Sequence, residues 1–278
     1  MSELAIFFVH GVGCSGDVWR EQLQYFSQLG CTVVVPDLLG HGFSGTPDDA
    51  SAYEFQQMAL DMLAVFDYYH RPNNVVVGHS YGTSLVTVLA RERQHLVSGM
   101  VLVSGGGPTP LSAQPGIFCM PACLLSCMRP ALMSFFEKRA FRDVAQRSNR
   151  DKAVTLDIPM YVMKHVINGQ RWKEGDLEYH TNVTVPTLLL FGMDDRFVGL
   201  QDECDMLEAL VGSRLEILEG AGHMVMMEKP GEVNILIHDF ISSDPVKQAD
   251  QPRGNAKLSE LDGSSQNRIR VVRQVTES

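Results

Sequence analysis

Five residues, Gly78-His79-Ser80-Tyr81-Gly82, restrict the fold of this chain more than any others. They close the strand-like run 74–78 (NVVVG), whose last residue they share, and precede a helical pattern from Thr83 to Arg93. A strand must therefore turn into a helix within a few residues. So tight a turn strains the backbone of the central serine and needs glycine on either side, where a Cβ would clash. G-x-S-x-G alone is a weak pattern, and the flanking strand and helix give it weight. The Ser80 hydroxyl is then expected at the carboxyl end of a sheet. It would sit beside a helix N-terminus whose dipole favours developing negative charge.

The rest of the chain supplies such a sheet. Apolar runs at 4–9, 31–36, 74–78, 99–104, 187–192 and 214–219 lack period-2 alternation, as in strands buried on both faces. Helical spacing lies between them: Trp19, Leu23, Phe26 and Leu29, then Phe55, Met58, Met62 and Phe66. Strand–helix alternation predicts an α/β fold with a mostly parallel sheet flanked by helices. After Ser104 the pattern breaks. Residues 105–183 carry no strand signal and are too long for a loop, so they are expected to form a helical cap. The core is then 1–104 and 184–242. The polar stretch 243–278 reads as a disordered tail, although its IRVVRQV run is able to pair or dock.

Composition narrows the function. The net charge of −10, from 23 basic and 33 acidic residues, argues against a nucleic-acid partner. The N-terminus lacks a basic n-region, and no apolar stretch reaches the length of a membrane span. The six cysteines show no paired zinc-type spacing, which predicts free thiols in an intracellular, cytoplasmic setting. No G-x-x-x-x-G-K-S/T occurs; Gly11–Gly16 and Gly40–Gly45 have G-x-G-x-x-G spacing, which alone is a weak pattern, and no nucleotide cofactor is expected. No metal is expected either.

A serine hydroxyl needs a base to become nucleophilic. His223, in Gly220-Ala221-Gly222-His223 after the strand at 214–219, is the candidate. Asp194 and Asp195, which follow the strand at 187–192, both qualify as the carboxylate that orients the imidazole. The neighbour of the true acid would cap the helix beginning near Leu200. The loop His10-Gly11-Val12-Gly13 follows the first strand. Its Val12 amide, with that of Tyr81, would form an oxyanion hole. His10, His41 and His79 lie within glycine turns and are expected to brace these loops. Gly11, Gly13, Gly78 and Gly82 shape the site. Serine, aspartate and histidine each follow a parallel strand, so they meet at one sheet edge.

With these residues in view, the chain resembles the α/β-hydrolase superfamily in its HG-x-G branch. The matching pieces are HGVG at 10–13, DLLGHGFS at 37–44, GHSYG at 78–82, GMDDRFV at 192–198 and GAGHMVMMEKP at 220–230. The resemblance implies a Ser-Asp-His hydrolase with Asp195 as the acid, since it places that residue three positions after the glycine. It puts the cap after the sixth family strand. The family's N-terminal antiparallel hairpin is expected to be missing, which would leave 31–36 as an exposed edge. A serine nucleophile under an apolar cap implies cleavage of a carboxylic ester or thioester of a hydrophobic, lipid-like substrate through an acyl-enzyme. The alternative is a binding or scaffold protein that keeps the fold with little turnover.

The cap holds Cys119, Cys123 and Cys127, read chiefly as small buried apolar residues, otherwise as a lid surface that touches lipid. Lys138, Arg139, Arg142, Arg147, Arg150 and Lys152 form a basic stretch. They read as a solvated helix face, or as a lure for an anionic substrate or membrane surface.

Overall fold

The computed structural model describes residues 3–113, 115–143, 157–243 and 268–272. Seven strands form one sheet: β1 (Leu4–Val9), β2 (Thr32–Val34), β3 (Asn73–His79), β4 (Val97–Val103), β5 (Thr187–Gly192), β6 (Arg214–Leu218) and β7 (Ile269–Val272). Their order is β2-β1-β3-β4-β5-β6-β7, and every pair is parallel. The inner strands are Val-, Leu- and Phe-rich and buried on both faces, which is why they show no alternation. β2, at one edge, pairs through only three residues and is half-buried.

Helices cover both faces. On one side lie α1 (Arg20–Gln28), and later in the chain α8 (Val225–Glu228) and α9 (Pro230–Ser242), around Phe8, Trp19, Phe26 and Phe240. On the other lie α2 (Phe55–Tyr69), α3 (Tyr81–Glu92) and α7 (Leu200–Ala209), around Phe7, Phe66, Leu85 and Met206. The crossings between β1, β3, β4, β5 and β6 thus place every strand's carboxyl end on one rim.

Between β4 and β5 lie α4 (Ala122–Ala140), α5 (Met160–Gly169) and α6 (Leu177–Thr181). They bury Leu125, Met160, Val166 and Trp172 against the second core. α4 runs through Pro130. Its inner side presents Leu125, Leu132 and Phe136, whereas Cys123, Leu124, Cys127, Met128 and Phe135 are exposed. Cys119, Cys123 and Cys127 are therefore not the buried apolar residues expected. α4 is apolar nearly all round, and only its packing decides which face is inward. Lys138 is exposed, Arg139 and Arg142 are engaged by neighbouring loops, and Arg147, Arg150 and Lys152 lie outside the described residues.

Within the tail, the IRVVRQV run that the sequence leaves able to pair supplies a strand. Ile269–Val272 pair with Leu215–Leu218 and extend the sheet beyond β6. Its three β-branched residues, Ile269, Val271 and Val272, give the segment strand propensity. Arg268 adds an anchor by donating to the carbonyls of Ser213, Leu207 and Leu210.

Candidate active site

Ser80 occupies the turn between β3 and α3 with φ 52° and ψ −122°. Only it and Ser104 have positive φ among the described non-glycine residues. A side chain on Gly78 would place its Cβ 2.5 Å from the Gly82 carbonyl oxygen, and one on Gly82 would lie 2.6 Å from that of Val9. The elbow therefore admits glycine alone at both positions. Strain of order 1–3 kcal/mol at Ser80 is tolerated because the surrounding sheet and helix fix the turn. The Ser80 amide donates to Val103 and that of Thr83 to Ser80.

His223, buried in the loop between β6 and α8, accepts no choice of tautomer. Its Nδ1 lies 2.8 Å from Asp195 Oδ2, and a carboxylate only accepts, so Nδ1 carries the proton and Nε2 is the basic nitrogen. The Asp195 side chain is fully buried. Burial alone would raise its pKa. The bond to His223 and its charge, with the amides of Val198 and Phe197 on Oδ1, outweigh burial and hold it below the ordinary carboxylate value. Asp194 points elsewhere and pairs with Arg142 at 3.2 Å on the surface.

Ser80 and His223 line the same cavity of about 650 Å³. Val12 and Tyr81 line it too. The Gly13 amide is committed to His41 Nε2 at 3.0 Å, which takes it out of the cavity and fixes the HGVG loop. His10 Nε2 accepts from Leu38, and its Nδ1 donates to Gly11. His79 Nε2 donates to the His223 carbonyl at 3.0 Å. Burial pushes both His10 and His79 down to about 3, so they remain neutral braces. Gly11 packs so closely that a Cβ there would lie 3.0 Å from that of Ser80.

Several side chains at this rim are not legible from motifs. Phe197 lies 5.1 Å, ring to ring, from His223 and 5.7 Å from Phe136 of α4, and it lines the cavity. Ser104, at the end of β4, lines it beside Ser80. Glu228 accepts from the amides of Gly222 (2.7 Å) and Arg142 (2.8 Å), tying the histidine loop to the end of α4. Met224 donates to Ala140, Arg139 to the Arg196 carbonyl and Arg196 to that of Lys138. One end of α4 is thus fastened to both the acid loop and the histidine loop. The only sequence signal for these contacts was proximity in the chain to Asp195 and His223.

Most of the remaining wall is apolar, with Leu132, Met133, Phe136, Met160 and Met163 supplied by α4 and α5, beside the polar Arg129 and Gln170. Among the described residues no helix is long and apolar enough to cross a membrane, and no cluster of metal-ligating side chains occurs.

Residues 6–234 match the alpha/beta hydrolase family. Protein ABHD8 of Mus musculus is 41% identical over 254 residues, which cover 89% of this chain and 57% of the relative. The chain therefore spans a little over half the length of that curated relative. Two solved structures share the fold. An esterase from Thermogutta terrifontis matches with a TM-score of 0.74 at 20% identity, covering 89% of this chain and 91% of its own. An esterase from Exiguobacterium antarcticum matches with a TM-score of 0.73 at 19% identity, covering 86% and 92%.

Proposed function

Because this chain belongs to the alpha/beta hydrolase family and has its fold, we propose that it is a serine hydrolase of hydrophobic carboxylic esters or thioesters. Ser80 is the nucleophile, His223 the base and Asp195 the orienting acid. The observation that carries this reading is the 2.8 Å bond from His223 Nδ1 to buried Asp195, with His223 and Ser80 on one cavity wall.

The chemistry follows from that arrangement. Ser80 Oγ attacks the carbonyl carbon as its proton passes to His223 Nε2. The oxyanion is held by the Val12 and Tyr81 amides. Asp195 stabilises the imidazolium without itself taking the proton. Collapse of the tetrahedral intermediate breaks the bond to the alcohol or thiol, which leaves with the proton from His223. Water, deprotonated by His223, then attacks the acyl-enzyme and releases the acid. The Met, Leu and Phe walls suit an apolar acyl group. Exposed Leu124, Met128 and Phe135 on α4 are consistent with lipid contact beside the cavity.

A fluorophosphonate probe tests the proposal. It should label the full chain, and labelling should vanish in Ser80→Ala. His223→Ala should lower ester hydrolysis by roughly three or more orders of magnitude. A folded protein that takes no label and cleaves no ester would instead be a binding protein on the same fold.

A further inference from the structure

A second cavity of about 460 Å³ adjoins the first. Ser84, Gly105, Leu111, Phe197 and Val198 belong to the walls of both, so the two meet close to Ser80. Their linings differ in chemistry. The first is walled mainly by Met, Leu and Phe, with Arg129 and Gln170 among them. The second presents Thr83, Ser84, Thr87, Thr109, His180 and Asp202.

The polar groups of this chamber are mostly acceptors. The hydroxyls of Thr83 and Thr87 donate to the carbonyls of Ser80 and Thr83, which leaves their oxygen lone pairs for a ligand. His180 is 3% exposed, and its Nδ1 donates to the Asp176 carbonyl. Burial holds this imidazole below its ordinary pKa, so Nε2 is left as a neutral acceptor. Asp202 is the only charged residue in the wall among the described residues, and it is negative. An anionic group would meet no cation there. An ammonium would have only Asp202, whose Oδ2 already accepts from the Gly199 amide at 3.1 Å, and no aromatic box, since the Trp172 ring is stacked on Phe55 at 4.8 Å and edged by Tyr179 at 4.7 Å. In the wall of the first cavity, next to the shared Gly105, Ser104 is wholly buried, and its hydroxyl has no hydrogen-bond partner among the described residues. A buried unpaired hydroxyl is costly unless something that enters the site pairs with it.

We propose that this chamber is the subsite for the alcohol part of the substrate, and that it takes an uncharged polyol whose hydroxyls donate to Thr109, His180 and Asp202. The substrate class is then an ester joining a hydrophobic acid to a polyhydroxy alcohol, rather than a simple alkyl ester. This rests on Ser80 acting as the nucleophile. A site built to bond hydroxyls discriminates strongly against analogues that lack them, because its own polar groups are then left unpaired.

The test compares two esters of one acid, 1-monodecanoylglycerol and ethyl decanoate, on the full chain. The glycerol ester should show kcat/KM at least about tenfold higher. Thr109→Val and His180→Phe should each reduce that ratio severalfold. Thr109 is exposed, so its variant remains informative if the other fails to fold. Equal rates for the two esters, or a preference that both variants leave intact, overturn the subsite. So does a protein that takes a fluorophosphonate on Ser80 but cleaves neither ester, and in that case the hydrolase assignment stands. If Ser80 takes no label and neither ester is cleaved, the assignment beneath the subsite has failed as well.

Discussion

Asp194 and Asp195 are neighbours in sequence with opposite environments. The turn after β5 is closed by the Asp195 amide on Gly192 and the Asp194 amide on Ala221. It sends one carboxylate inward to His223 and leaves the other on the surface with Arg142. Spacing alone could not separate the two, because the choice depends on a backbone turn that no residue type announces. Asp195→Asn should therefore cut kcat by roughly 10³–10⁴-fold with the fold intact, since an amide donor opposite Nδ1 favours the wrong tautomer. Asp194→Asn removes only an exposed ion pair and should change stability by about 1 kcal/mol or less. Ester kinetics on both variants, with melting curves as controls, decide the matter. A second buried carboxyl makes a separate prediction. Glu203 of α7 is wholly buried, accepts from the Gly106 amide at 3.1 Å, and has its pKa pushed up to about 8 by desolvation. The folded state holds this proton over a range where the unfolded chain has lost it. The wild-type protein should therefore lose stability as pH rises from about 4.5 to 8. Glu203→Gln keeps the acceptor and removes the titration. Its melting temperature should gain on the wild type at pH 8 relative to pH 5, and an unchanged difference between the two proteins would refute the buried ionisation.

Among the elements, the strands were the most legible. The runs at 4–9, 187–192 and 214–219 coincide with β1, β5 and β6 to within a residue, because strands buried on both faces tolerate nothing but apolar side chains. α4 was the least legible. Apolar residues surround it, so its sequence names no inner face, and its three-cysteine pattern faces outward. Its attachment is also a tertiary fact. The end near Ala140 is held to the histidine loop by Glu228, whose carboxyl is raised by burial although both amide bonds favour its charged form. Removing this carboxylate leaves the Gly222 and Arg142 amides without their acceptor, at a cost of roughly 1–3 kcal/mol for a buried donor. Glu228→Ala should thus lower the urea midpoint and slow labelling of Ser80, because Gly222 immediately precedes His223. Labelling at the wild-type rate would mean that this latch does not position the imidazole.

At the scale of the whole molecule, the sheet has two edges of different character. β2 closes one side with three paired residues. The other side is closed by β7, whose sequence signal was a short β-branched run in an otherwise polar tail. Its pairing became visible only against β6 as a template. The strand also completes polar groups that would otherwise be left open. Arg268 binds the carbonyls that follow the end of α7, and Arg270 pairs at 2.7 Å with Glu216, which is 5% exposed. Without β7, Glu216 keeps only the longer contact with Arg214 at 3.9 Å, and the backbone of β6 becomes an open edge. A chain ending at Ser243 should therefore melt several degrees lower and associate on size-exclusion chromatography, because an unpaired parallel edge is a template for another strand. Arg268→Ala, which keeps the strand but removes the anchor, should lie between the two in melting temperature. Ser80, Asp195 and His223 are all positioned by residues before Ser243, so the shortened chain should still take a fluorophosphonate while folded. A shortened chain that melted with the full one would show that β7 adds nothing to the sheet, and one that was folded yet unlabelled would show that the edge strand reaches the site through β6.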